Sequence, residues 1–305
     1  MDAQRPRAVE TGAARRTAAA PALDVRWIHG SPSAKHNTDP DLQVHAYDAD
    51  TVILRQNMAV DHEAPFLLLL FGEARAVLID TGATASPAHS PLRRVVDALM
   101  RDRSATRAPR DDYELLVLHT HPHGDHVAGD GQFDDRPGTR VVGAALDEAW
   151  AFFGFDRDPD GVARVDLGGR VLECLATPGH HAASVTYFDP WTGFLLTGDT
   201  VYPGRLYIED WAAFTRTVDR LIGFCADRPV THVLGCHIEM TRRPGQDYPV
   251  RTTYQPDEPP LQMTTDQLRD IRAAIRSVGD RPGRHAFDDF VLCRLDLPGS
   301  APDGA

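Results

Sequence analysis

Between Thr120 and His126 the chain reads Thr-His-Pro-His-Gly-Asp-His, placing His121, His123, Asp125 and His126 within six residues. Neutral imidazole nitrogens and carboxylate oxygens are ligands that suit Zn²⁺, and iron or manganese as well. A His-x-His pair on an extended segment points both rings the same way. The Asp125-His126 pair, after a glycine turn, addresses a second position nearby, and one ion cannot easily use all four groups. The plain alternative is a histidine-rich surface loop with incidental metal affinity. Its place directly after an apolar run, Tyr113 to Leu118, favours a built site.

Three more segments put a candidate ligand at the end of a short strand-like run: Thr177-Pro178-Gly179-His180, Leu196-Thr197-Gly198-Asp199 and Val233-Leu234-Gly235-Cys236-His237. Taken singly each is weak, since a lone histidine is more often structural and a lone aspartate more often a turn residue. Together they supply seven nitrogen and oxygen donors from four stretches of chain. Their chemistry requires the fold to bring those stretches to one place.

The elements that must do so are legible as runs and periodicities. Thr51 to Arg55 and Phe66 to Ile79, the latter broken at Gly72-Glu73, are expected to be strands meeting at a hairpin. Ser90-Pro91 offers a cap and a first helical proline ahead of Leu92, Val95, Val96, Leu99 and Met100 on one helical face. Strands are expected at Tyr113 to Leu118, Arg140 to Gly143, Val171 to Leu175, Ser184 to Phe188 and Phe194 to Thr197. A helix follows from Trp211 with Asp210 as its cap. The proline-rich stretch Pro244 to Pro260 is read as loop. Thr264 and Gln267 have capping-box spacing for a last helix, and Phe287 to Leu295 reads as a last strand.

Composition narrows the function classes. Among 305 residues, 32 basic against 44 acidic ones give a net charge of −12, which repels phosphate backbones and anionic membranes, so no nucleic-acid or membrane partner is expected. The longest apolar run, Phe66 to Phe71, falls far short of the roughly 20 residues of a membrane span. Cys174, Cys225, Cys236 and Cys293 lack the paired spacing of a zinc ribbon or redox dithiol, and a cytoplasmic location is expected. Residues 1–22, rich in Ala and Arg and without a following apolar stretch, are expected to be a disordered tail rather than a secretory signal.

The order of these motifs over about Thr51 to His237, opening with Ile79-Asp80-Thr81-Gly82, resembles the metallo-β-lactamase superfamily. That resemblance implies an α/β fold, a four-layer αββα sandwich, as one domain over 23–305 with an added C-terminal helix and strand. It implies that His121, His123 and His180 hold one metal ion and Asp125, His126 and His237 a second. Asp199 would bridge them, and Asp80 would orient the ligand loop. Two Zn²⁺ are the expected cofactors, iron or manganese also fitting.

The segment Thr197-Gly198-Asp199-Thr200-Val201-Tyr202 and the trio Pro178-Gly179-His180 look closer to the glyoxalase II and lactonase branches than to true β-lactamases. The implied activity is hydrolysis of an ester, thioester or lactone carbonyl in a small-molecule substrate, by a hydroxide bridging two ions. Asp125 and Asp199 are the expected proton carriers. Tyr202 resembles a tyrosine that faces the substrate carbonyl in lactonase-like members, with a packed core role as its alternative. His119 and His181 lack ligand positions, and His232 is read as structural. Arg205, Tyr207, Glu239, Arg242, Arg243 and Tyr248 are candidates for a substrate pocket or for solvated surface. Two departures from the family pattern are visible: Cys236 precedes His237 where glycine is usual, and Ala183 follows the third motif where glycine is frequent. Competing readings are a single-iron oxidoreductase resembling persulfide dioxygenases, and a phosphodiesterase or nuclease of the same fold.

Overall fold

The computed structural model describes residues 23–106 and 112–295, and the tail expected over 1–22 lies outside them. A first sheet is laid down in sequence order by β1 (Leu42–Asp48), β2 (Thr51–Gln56), β3 (Phe66–Phe71), β4 (Arg75–Ile79), β5 (Glu114–Leu118) and β6 (Thr139–Val141). The first four strands form an antiparallel meander, and β4, β5 and β6 run parallel. Both faces of β3, β4 and β5 are buried, which is why these strands read as hydrophobic runs, whereas the edge strands β1 and β6 are partly exposed.

The second sheet contains β7 (Ala163–Asp166), β8 (Val171–Ala176), β9 (Val185–Asp189) and β10 (Phe194–Gly198). The chain then leaves it for β11 (Arg205–Ile208) and returns as β12 (His232–Gly235) and β13 (Gln262–Met263). β11 joins β14 (Gly283–Ala286) and β15 (Val291–Arg294) in a small third sheet. Among the described residues there are five α-helices: α1 (Leu92–Ala105), the single turn α2 (Gly124–Val127), α3 (Leu146–Phe153), α4 (Trp211–Ala226) and α5 (Thr265–Val278).

Period-two alternation sorts the strand residues into separate cores. Phe66, Leu68, Leu70, Val77, Ile79, Leu116 and Leu118 point from the first sheet at Leu172, Cys174, Tyr187, Phe194, Leu196 and Leu234 of the second. The alternate residues Leu67, Leu69, Leu78, Leu115 and Val117 pack under Leu92, Val96 and Met100 of α1. On the outer face of the second sheet, Leu175, Phe188, Leu195 and Val233 meet Phe214, Val218 and Leu221 of α4, with Leu268, Ile271 and Ile275 of α5 alongside. The layers are therefore helix, sheet, sheet, helix, as the motif order implied. Each such fully buried side chain contributes roughly 1.5–3 kcal/mol.

The caps foreseen for the last two long helices are present. Asp210 accepts from the Ala213 amide at 2.8 Å, and Thr264 with Gln267 forms a complete capping box. Ser90 does not cap α1: the helix starts at Leu92 and has no side-chain cap, while Gln132 Oε1 reaches the Arg93 amide at 3.3 Å. The stretch 244–260 carries no strand or helix, only isolated bridges from Asp247 to Met240 and from Tyr254 to Gly30. Sequence periodicity did not show β1, β7, β11, β13, β14 or α3, which are short or only partly buried.

Strand direction decides where the functional residues gather. β4 and β5 are parallel, and β8, β10 and β12 share one direction within the second sheet. Asp80, the histidine cluster, His180, Asp199 and His237 all follow the C-terminal ends of those five strands. The crevice outside carboxyl ends is where α/β sheets place ligands.

At the opposite ends the two sheets are clamped by Arg170, which is 2% exposed. Its guanidinium donates to both oxygens of Asp189, at 3.1 and 2.6 Å, and to the Asp50 and Phe71 carbonyls and the Thr51 hydroxyl of the first sheet. Removing one partner from such a buried network strands the other's charge. Arg170→Met is expected to destabilise the fold by about 3–5 kcal/mol in urea unfolding, leaving the spacing of the distant histidines unchanged. A loss under about 1 kcal/mol would mean the clamp is dispensable.

Candidate metal centre

The loop after β5 carries His121 and His123 on extended backbone and then turns into α2, which carries Asp125 and His126. Its geometry is set by Asp80, fully buried at the end of β4 and held at φ 64°, a left-handed conformation that non-glycine residues adopt at a cost of about 1–3 kcal/mol. Asp80 Oδ1 accepts from the Thr120 amide at 2.7 Å, and Oδ2 accepts from the Thr120 hydroxyl at 2.8 Å and from His126 Nδ1 at 2.9 Å. The orienting role expected of Asp80 is thus matched by its contacts. Thr120 shares it, a residue whose place at the head of the motif was the only signal for it.

His180 is brought in by the turn after β8. Gly179 sits at φ 141°, and a Cβ there would lie 2.5 Å from Cα of Phe214, so α4 can pack on this turn only because the residue is glycine. Gly179 O accepts the Glu209 and Asp210 amides, which ties the turn to the start of α4.

Two clusters result. In the first, His121 Nε2, His123 Nδ1 and His180 Nε2 lie 3.0–3.2 Å from one another. In the second, Asp125 Oδ2 lies 3.1 Å from His126 Nε2 and 3.2 Å from His237 Nε2, and the two nitrogens are 3.4 Å apart. Asp199 stands between the clusters. Its Oδ1 is 3.5 and 3.2 Å from the His126 and His237 nitrogens, and its Oδ2 is 3.8 and 3.7 Å from those of His121 and His180.

The outward nitrogens explain why the inward ones carry lone pairs. His180 Nδ1 bonds to the Tyr207 carbonyl and His237 Nδ1 to the Glu63 carbonyl, each at 2.8 Å, and His126 Nδ1 bonds to Asp80. The Thr120 hydroxyl, its proton given to Asp80, accepts from His121 Nδ1 at 3.1 Å. These bonds take the outward proton of each ring, so neutral His121 and His180 turn inner lone pairs toward one another, and His126 and His237 do the same once their inner proton leaves. Buried Asp199 Oδ1 has no hydrogen-bond partner either. Lone pairs converging in this way repel unless a cation sits among them, so the donor set fits two metal ions.

Charge is distributed unequally between the clusters. Burial pushes His121 and His180 below the ordinary histidine range, which keeps them in the neutral ligand form. Burial acts the same way on His126 and His237 but is outweighed, chiefly by the Asp199 carboxylate and then by Asp80 or Asp125, and both stand well above that range. Asp125 and Asp199 resist the upward push of burial because the two imidazoliums hold them well below the usual carboxylate values.

The remaining candidates separate clearly. His119 is buried behind the loop, with Nε2 3.2 Å from Asp130. His181 is half-buried, its ring centroid 5.2 Å from that of His123, and its Nδ1 accepts the Ala183 amide. His232 packs edge-on against Phe194 at the start of β12, far from the clusters along the strand.

Tyr202, a candidate oxyanion donor with a packed role as its alternative, is enclosed. That side chain is 2% exposed, its hydroxyl donates to the Arg205 carbonyl and lies 3.1 Å from Glu239, and its ring packs 5.6 Å from that of His237. The packed role, its alternative, matches the contacts. Arg205 likewise is no free anion receptor: it is buried on Glu239, Asp247, the Tyr248 carbonyl and the Tyr207 hydroxyl. Arg242 and Arg243 stay exposed. Two contributors had no side-chain signal at all, since Glu63 and Tyr207 act through backbone carbonyls.

Residues 64–274 match the family model described as "Metallo-beta-lactamase superfamily". Among curated proteins, the chain is 30% identical over 154 residues to a hydroxyacylglutathione hydrolase of Rhizobium meliloti, a match covering 49% of this chain and 56% of that one. It is 26% identical over 202 residues to the protein of the same name from Brucella ovis, covering 62% and 75%. The chain thus spans little more than half of the Rhizobium protein. Among solved structures it is similar to a metallo-β-lactamase from Pontibacter korlensis, with a TM-score of 0.50 and 16% identity over 77% of this chain and 99% of that one. It is also similar to the DIM-1 metallo-β-lactamase, with a TM-score of 0.52 and 13% identity over 80% and 100%. At these identities the structures speak for the fold alone.

An ion entering the second cluster must displace protons from His126 and His237, whereas the first cluster starts unprotonated. On acidification the second ion should therefore leave first, its apparent affinity falling more steeply with pH than that of the first. Chelator competition with Co²⁺ across neutral pH measures both slopes, and equal slopes would contradict this charge assignment.

Proposed function

The chain belongs to the metallo-β-lactamase superfamily, and on that premise we propose that it is a two-ion hydrolase of a small-molecule thioester, with esters and lactones as the nearest alternatives. The observation that carries the reading is Asp199, which turns one oxygen toward each cluster, so that both sets of ligands surround one reaction space. His121, His123 and His180 would hold one ion, Asp125, His126 and His237 the other, and Asp199 would face both. Zn²⁺ suits this nitrogen and oxygen set best. When bound, two such ions activate water at neutral pH and polarise a carbonyl oxygen.

The protein's own share is positioning and proton handling. The outward bonds to Asp80, Thr120, Tyr207 and Glu63 freeze four imidazoles before substrate arrives, so no ring has to reorient during reaction. Asp125, partly exposed between His126 and His237, is placed to accept the proton of the attacking water and pass it on, and Asp199 supports the same transfer from the inner side.

A thioester is favoured among carbonyl substrates for two reasons. The relatives described above are named as hydrolases of hydroxyacylglutathione, a thioester. In addition, the Tyr202 phenol is committed to Arg205, and a thiol with a pKa near 8.5 leaves as thiolate with little need of a donor, unlike an alkoxide. A single-iron centre would use the first cluster and leave Asp125, His126 and His237 without an occupant. The net charge of −12 speaks against a nucleic-acid substrate. The four free cysteines support a reducing compartment, the cytoplasm.

The reading is tested with zinc-loaded protein on a panel of acylglutathiones, lactones, β-lactams and phosphodiesters. Acylglutathiones should give the highest kcat/KM, and His123→Ala should lower it by about 100-fold or more. Undiminished turnover in that variant, or one equivalent of iron with oxygen uptake, would overturn it.

A further inference from the structure

The geometry points to Cys236 as a positioning residue of the second cluster, its thiol holding Asp80, and through it His126, in register with the His237 loop. This inference rests on the two-ion reading. Cys236 is 3% exposed and directly follows β12, immediately before His237. Its amide donates to the Gly198 carbonyl at 3.3 Å, directly before Asp199, and its carbonyl accepts the Phe66 amide at 2.8 Å. Its Sγ donates to Asp80 Oδ2 at 3.5 Å. One residue therefore joins the loops that carry His237, Asp199 and Asp80 to the start of β3.

The two backbone bonds are open to any residue with an amide, the usual glycine included. Only a side chain bearing a proton makes the third. Without it, Asp80 keeps its bonds to Thr120 and His126, but nothing ties that unit laterally to β12, and the separation of His126 from His237 loses a constraint.

Asp80, His126 and Cys236 are ligand types within reach of one another, yet they form a hydrogen-bond hub rather than a third ion site. Asp80 already accepts four donors: the Thr120 amide, the Thr120 hydroxyl, His126 Nδ1–H and the thiol. Three of these reach Oδ2, the oxygen that faces both His126 and Cys236 and has only two lone pairs, so none is left there for a cation. His126 Nδ1, as the donor to Asp80, is not a ligand atom, and the nitrogen the ring can offer an ion is Nε2 in the second cluster.

The test titrates the full metal-free chain with Co²⁺, following heat for the two affinities and absorbance for thiolate-to-cobalt charge transfer. Cys236→Ala should weaken the second ion by about tenfold or more, in the range typical of lost orienting partners, with the first ion unchanged. Cys236→Ser, which restores a proton donor, should recover most of that loss, and the parent should show no charge-transfer band. Unchanged affinities in Cys236→Ala, or an equal loss of both ions, would sink the proposal. A thiolate band in the parent would make Cys236 a ligand and overturn it as well. Should Cys236→Ala fail to fold, as judged by melting of the metal-free form, Cys236→Ser decides alone, because a tenfold loss of the second ion there would also refute it. A parent that binds only one ion would instead defeat the two-ion reading itself, which acylglutathione turnover measures separately.

Discussion

Five imidazoles and two carboxylates packed with their lone pairs toward one another form an arrangement that no polypeptide adopts for its own stability. Without compensation, converging acceptors repel, and buried carboxylates cost several kcal/mol each. The molecule answers with an outer ring of fixed partners: Asp80 and Thr120 for the loop histidines, and the Tyr207 and Glu63 carbonyls for His180 and His237. Those partners act only if five strand ends from two sheets meet at one edge, so the requirement reaches outward into the topology.

The sandwich supplies that edge in a simple way. Parallel strands end together, and both sheets contribute parallel sets whose C-terminal ends face the same crevice. The apolar layer between the sheets fixes their separation, and the Arg170 clamp holds the far end, where no ligand is carried. Stability and chemistry are thus placed at opposite ends of the same strands. One of the three described non-glycine residues at positive φ, Asp80, lies at the chemical end, where four accepted hydrogen bonds hold it.

Much of this was readable from residues alone, for definite reasons. Metal ligands are few in type and their motifs are short, so His121 to His126, His180, Asp199 and His237 stood out and the fold gathers them. Strands buried on both faces leave long apolar runs, which located β2 to β5 and β8 to β10, and caps with side-chain donors or acceptors marked α4 and α5. The misses share a cause as well. β7, β11 and β14 are short and partly exposed, and carry no periodicity to find. Backbone carbonyls that orient histidines are invisible in a string of side chains. For Tyr202 the resemblance offered a substrate-facing role beside a packed one, and for Arg205 a pocket or solvated surface stayed open; neither choice has a side-chain signal, and both residues are engaged inside the protein.

That internal use of Arg205 has a counterpart at Arg55, which grips Glu258 with two bonds of 2.6 Å deep in the first sheet. The irregular stretch after the last ligand strand is therefore an arch on two abutments, Asp247 with Arg205 on one side and Glu258 with Arg55 on the other. Its crown, Pro249 to Arg251, is exposed. Substitution in the crown leaves the abutments standing, so that surface can change while the two ligand clusters below keep their shape.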